Sequence, residues 1–276
     1  MDYLLAAFFC LFVWWFSTGA VIYLDGLPKV TLKWTMLGAS LLLVLSLFGL
    51  HATADNTTAA GAYLAFTCGL LAWAWHEVSF YTGYVTGPRK VASGSDRRGL
   101  KHFWNGVQLT LWHEFAIIAG FALIVFLTWD GANRIGLWTF VVLWWMHESA
   151  KLNVFFGVRN LNAEFLPEHL AYLKSYFRKR PMNLLFPFSV TVSTIICFVM
   201  FSRAFAQDAT QFDAIGYTFL GILMALAILE HWFLVIPLPF AKLWHWALSS
   251  RKPTASRNTP HPKRRQATDR AAAEAA

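Results

Sequence analysis

Four pairs of adjacent histidine and glutamate punctuate the chain: His76-Glu77, His113-Glu114, His147-Glu148 and Glu230-His231. Imidazole and carboxylate side chains held together can ligate a transition metal, relay a proton or form a buried ion pair. Each pair lies inside a long apolar stretch, where an ionisable side chain costs about 2.5–3.5 kcal/mol or more. Such groups demand mutual pairing, a water-filled cavity or a bound cofactor.

The elements that must position them are helices in a bilayer. Of the 276 residues 57% are hydrophobic and only 14% charged, with a positive mean hydropathy, which excludes an ordinary soluble domain. Apolar stretches of about 20 residues match a hydrocarbon core of ~30 Å at ~1.5 Å per helical residue. The sequence therefore predicts an all-α, polytopic membrane helix bundle with about seven transmembrane helices, at roughly 3–24, 34–54, 59–85, 103–129, 135–157, 182–206 and 214–236. Asp2 and Asp25 flank the first span and no basic stretch precedes it, so it is expected to be retained rather than cleaved as a signal peptide. Gly87-Pro88 is expected to close the third span, and Pro181 to precede the sixth.

Residues 1–246 form the expected transmembrane domain, with an amphipathic helix within about 159–181. There Leu166, Leu170, Leu173 and Phe177 recur at helical spacing opposite Glu168, His169, Lys174 and Arg178. Trp244-His245-Trp246 suits a membrane interface, and residues 247–276 read as a disordered basic tail. Twenty of the 23 Lys and Arg residues fall in connections on one side of the bilayer or in that tail. Arg134 and Arg203 lie on the other side, and Lys151 falls inside a span. Cytoplasmic loops hold the positive charge, so the N-terminus is expected outside and the C-terminus inside. The net charge of +8 fits anionic lipid headgroups and requires no nucleic-acid partner.

With spans alternating in direction, His76, His113 and His147 lie about ten residues from their cytoplasmic ends and His231 about six, roughly 9–15 Å deep. All four are thus expected in one layer. Neighbours on a helix point about 100° apart, so the His and Glu of one pair cannot both face the same point. Three readings remain open. The layer is a packing network of His–Glu hydrogen bonds and ion pairs, with Lys151 on the face of Glu148. Alternatively, it is a metal site for iron or another transition metal, drawn from His76, Glu77, His113, Glu114, His147, Glu148, Glu230 and His231. Or the histidines His76, His113, His147 and His231 ligate a tetrapyrrole or another pigment.

Trp73, Trp75, Trp112 and Trp145, among 14 tryptophans, accompany the layer and suit a pocket for a flat apolar ligand. Cys10, Cys68 and Cys197 fall inside spans without C-x-x-C spacing and read as small buried hydrophobes.

The segment from Lys151 to Pro187, together with W-W-F-S-T-G-A at 14–20, W-H-E at 75–77, G-Y-V-T-G-P-R at 83–89 and S-A-K-L-N-V at 149–154, resembles the PuhE family of photosynthetic complex assembly proteins from anoxygenic phototrophic bacteria. The resemblance runs from about residue 3 to 236. It implies a multi-pass protein of the bacterial inner (intracytoplasmic) membrane. Its partners would be reaction-centre or light-harvesting subunits or other assembly factors, and its role assembly of that complex or supply of bacteriochlorophyll to it. It implies no catalytic residues. The alternative from another class is a membrane metalloenzyme whose His/Glu site acts on a carotenoid, quinone or tetrapyrrole.

The charge asymmetry generates a topological prediction. A reporter fused after Lys252 is expected to behave as cytoplasmic and one inserted at 55–58 as periplasmic. The reverse pattern would reject the orientation.

Overall fold

A computed structural model of the chain describes residues 2–94, 99–161 and 163–251. Seven long α-helices follow one another: α1 (Asp2–Asp25), α2 (Leu32–Ala52), α3 (Ala59–Tyr81), α4 (Gly99–Leu127), α5 (Ile135–Phe156), α6 (Leu185–Ala204) and α7 (Gln211–Phe233). Four short 3-10 segments, Ala163–Phe165, Glu168–Tyr176, Phe240–Trp244 and Ala247–Arg251, complete the described elements. Among the described residues there is no β-strand, only an isolated bridge between Val158 and Lys179.

Five helices, α1, α2, α4, α6 and α7, are long and apolar enough to cross a membrane. The other two are as long, at 23 and 22 residues, but α3 carries His76-Glu77 and α5 carries His147-Glu148 and Lys151, which lowers their apolar character. Those two sit inside. Helix α3 packs against α1, α2, α4, α5 and α7, and the main core joins it to α5, α7 and the first turns of α1 through Phe66, Met146, Phe219 and Leu223. The phenyl rings of Phe66 and Phe219 stack at 4.4 Å.

Helices α3 and α5 approach closely because both lack side chains at the crossing. A Cβ at Gly69 would lie 2.4 Å from the Gly136 carbonyl oxygen. One at Gly136 would lie 2.2 Å from Leu50 and 2.6 Å from the Ala65 carbonyl oxygen. Small residues at such crossings let backbones touch, the usual basis of helix association in lipid.

Helix α3 stops at Tyr81, short of the expected Gly87-Pro88. Thr82 Oγ1 donates back to the Val78 carbonyl at 2.6 Å, and Gly83 takes φ +83°, which breaks the helix there. The segment expected to be an amphipathic α-helix is 3-10 instead, with Leu170, Leu173 and Tyr176 buried at a spacing of three. Those residues pack on Phe80 and Leu109, so the segment covers the bundle end instead of lying free. His169 Nε2 donates to the Tyr81 carbonyl at 2.8 Å and pins it to α3, while burial lowers the imidazole pKa below its ordinary value.

Residues 247–251, expected to open the tail, form a 3-10 turn against α1. Arg251 pairs with Asp25 and donates to the Glu164 carbonyl at 2.6 Å. Trp244, expected at an interface, is buried and donates to the Trp15 carbonyl at 3.0 Å. The remainder of the expected tail, 252–276, lies outside the described residues.

The α3–α5 crossing should tolerate no side chain. Gly136→Leu is expected to destabilise the bundle by about 1–3 kcal/mol through overpacking, read as a lower midpoint in detergent-resisted thermal unfolding. Gly38→Leu, at a position with open space, should leave the midpoint unchanged.

Candidate functional site

Three of the four His-Glu helices meet. Glu77 on α3, His113 on α4 and His147 on α5 each present one ligand atom, and these atoms lie within 4.8 Å of one another. Glu77 Oε1 stands 3.1 Å from His147 Nδ1, with both side chains about one-fifth exposed. The approach is ion-pair distance but off the line of a hydrogen bond, so Glu77 Oε1 has no directed donor. His113 is 0% exposed and neither ring nitrogen has a hydrogen-bond partner. Its ring centroid lies 4.8 Å from Phe80, 5.6 Å from His147 and 6.4 Å from His76.

His113 owes its position to the connection after α3. The backbone N–H of His113, in the middle of α4, donates to the Thr86 carbonyl at 2.9 Å, and Arg89 N–H donates to the Gln108 carbonyl at 3.3 Å. Gly87 makes this approach possible, since a Cβ there would lie 2.1 Å from the Gln108 carbonyl oxygen. Arg89 Nε anchors the far end on the Tyr176 hydroxyl at 2.8 Å. The G-Y-V-T-G-P-R stretch is thus a strap that sets the height of α4. His76 lies beside the cluster, 2% exposed, with Gly120 leaving room for its ring and Nδ1 without a partner.

The other members of the expected layer make separate contacts. Lys151 bridges Glu114 on α4 and Glu148 on α5, the latter at 2.7 Å, so those carboxylates neutralise an ammonium and join two helices. His231 uses both nitrogens: Nδ1 donates to the Ala227 carbonyl at 2.9 Å, which leaves Nε2 to accept from the Ser149 hydroxyl at 2.9 Å. Both nitrogens are thereby satisfied, and the ring ties α7 to α5. Glu230 accepts from Trp14 Nε1 at 3.1 Å and faces a cavity of about 350 Å³ between α1, α3, α5 and α7. Glu77 and His147 line the same cavity, with Trp14, Trp73 and Leu143 among its apolar walls. Trp75, Trp112 and Trp145 do not line it.

Several polar residues that hold this arrangement were not singled out as site candidates. Asn153 Nδ2 donates to the Ser149 carbonyl and to Ser189 Oγ at 2.9 and 3.2 Å. Asn183 Nδ2 donates to the carbonyls of Asn153 and Gly157, both at 3.0 Å, while its Oδ1 accepts from the N–H groups of Leu185 and Phe186 and so caps α6. Asn160 Nδ2 donates to the Phe233 and Ile236 carbonyls at 2.7 and 2.6 Å, closing the end of α7. Asn183 flanks the helix it caps and Asn160 follows α5, whereas Asn153 sits inside α5.

Together these features define a helical bundle, five of whose helices are long and apolar enough to cross a membrane, with a His/His/Glu cluster at the wall of a cavity. The chain belongs to the DUF3623 family, described as a protein of unknown function, which matches residues 1–255. It is 40% identical over 250 residues, 89% of this chain and 91% of the relative, to an "Uncharacterized 30.4 kDa protein in puhA 5'region" from Rhodobacter capsulatus. No solved structure matches it.

The Lys151 bridge generates a stability prediction. Lys151→Met leaves two neighbouring carboxylates without their cation and should destabilise the protein by about 1–3 kcal/mol, below the ~3–5 kcal/mol of a fully buried pair because each side chain is 21–31% exposed. Adding Glu114→Gln and Glu148→Gln should recover most of the loss. Unfolding midpoints of the single and triple variants check this.

Proposed function

We propose that the protein is a seven-span inner-membrane factor, N-terminus outside and C-terminus cytoplasmic, that serves assembly of the photosynthetic reaction centre with its light-harvesting partner. The observation that carries this reading is the relative in the puhA 5' region, which lies beside photosynthesis genes and shares 40% identity across nearly the whole chain. The bundle supports it in two ways. Its internal cavity of about 350 Å³, with aromatic walls and a few carboxylates, suits a hydrophobic ligand or a ring-bearing part of one, bacteriochlorophyll included. Exposed Lys174, Lys179 and Arg180 give a basic face at one end of the bundle, the side expected to be cytoplasmic.

Assembly requires holding, and holding requires a rigid frame with a place for the guest. The asparagine clamps at the ends of α5, α6 and α7 supply the frame, and the cavity beside Glu77, His147 and Glu230 supplies the place.

Deleting the gene in a phototroph is expected to lower the accumulated reaction-centre complex several-fold, with no intermediate of pigment synthesis building up. The absorption spectrum of isolated membranes and a pigment extract read both quantities. Unchanged complex levels would reject the role. Accumulation of a carotenoid, quinone or tetrapyrrole precursor would favour an enzyme acting on that compound.

A further inference from the structure

We propose that Glu77, His113 and His147 bind one divalent first-row transition-metal ion at the cavity wall. This inference stands on geometry alone and holds whether the protein scaffolds or catalyses.

A fully buried imidazole with both nitrogens unpaired is rare in native interiors, which satisfy their polar groups. His113 is in that state, and the partly buried Glu77 Oε1 beside it also lacks a directed donor. The neighbouring His147 Nδ1 approaches Glu77 Oε1 at 3.1 Å but does not point its hydrogen along that line. Ligand atoms about 2.1 Å from an ion stand roughly 3–3.5 Å apart, and the three here lie within 4.8 Å, with Glu77 and His147 already at such a separation.

The donor set narrows the ion. Two imidazoles and one carboxylate with open positions suit iron(II), manganese(II) or zinc(II), and the imidazoles disfavour calcium and magnesium, which prefer all-oxygen shells. A tetrapyrrole does not fit over His113, whose ring is boxed by Phe80, His76 and His147 at 4.8–6.4 Å. The nearby ammonium of Lys151 is held by Glu114 and Glu148, whose carboxylates offset its charge. Glu77 and His147 reach the cavity while His113 closes the rear, so the open positions of the ion face the cavity.

The full chain, purified in a mild detergent, should carry about one equivalent of iron, manganese or zinc by elemental analysis. Glu77→Ala, His147→Ala and His113→Ala should each lower metal retention by about tenfold or more, while His231→Gln keeps it. His113 is buried enough that its variant can fail to fold, so wild-type protein stripped with a chelator and titrated with cobalt(II) supplies a second readout. The stripped chain should develop visible d–d bands that saturate near one equivalent, and folded Glu77→Ala should not. Folded wild-type protein that yields no such bands, or Glu77→Ala and His147→Ala chains that retain wild-type metal, would overturn the proposal.

Discussion

A polar side chain inside an apolar bundle has no water to fall back on, so its partner must come from the protein itself, and for the long ionisable groups that requirement organises this structure. Each His-Glu pair meets it differently. Glu114 and Glu148 share the Lys151 ammonium across α4 and α5. His231 takes a hydroxyl from α5 and a carbonyl from its own helix. Glu230 accepts an indole N–H from α1. The contacts that cross between helices fix the rotation of one helix against another, so the polar groups specify which faces meet while the apolar ones supply most of the contact area. The residue of this accounting is the group around His113, whose nitrogens the protein leaves unpaired.

Such closeness depends on the backbones. Glu77 and His147 come within 3.1 Å because α3 and α5 cross at Gly69 and Gly136 with no side chain between them. The third member comes from a connection. Thr86 takes the His113 backbone N–H, and Gly87 lies against the α4 backbone where any Cβ would collide. A shift of α4 by one residue would rotate its side chains by about 100° and carry His113 out of the cluster. The strap therefore works as a register pin, and sequence alone reads it only as a turn.

The helices were legible because span length and apolar content are properties of contiguous residues: each of the seven expected stretches overlaps one of α1 to α7. The depth count, another contiguous property, put His76, His113 and His147 at one level, and the structure brings the last two together with Glu77. What escaped was rotation. Depth says nothing of which way a side chain points, so His231 shared the level while facing Ser149. The segment 168–176 escaped for a related reason, since Leu170, Leu173 and Tyr176 at a spacing of three fit a 3-10 turn as well as one face of an α-helix. Asn183 was invisible because a capping asparagine acts through carbonyls and N–H groups that every residue possesses.

Helix α5 shows how one element serves two ends. Residues 147, 148 and 151 lie within little more than one turn, yet His147 reaches Glu77 on α3 and the cavity while Lys151 and Glu148 reach towards Glu114 on α4. Successive residues turn by about 100°, so adjacent His and Glu are forced apart in direction and cannot serve one centre. The doublet pattern is thus a device that places a carboxylate for helix pairing directly beside an imidazole for the cavity. On α3 the roles reverse: Glu77 faces the cavity and His76 packs between Trp73, Trp75 and Phe140. Two helices with the same dipeptide in opposite roles supply a cavity wall with one carboxylate and one imidazole, and α4 adds the second imidazole from behind.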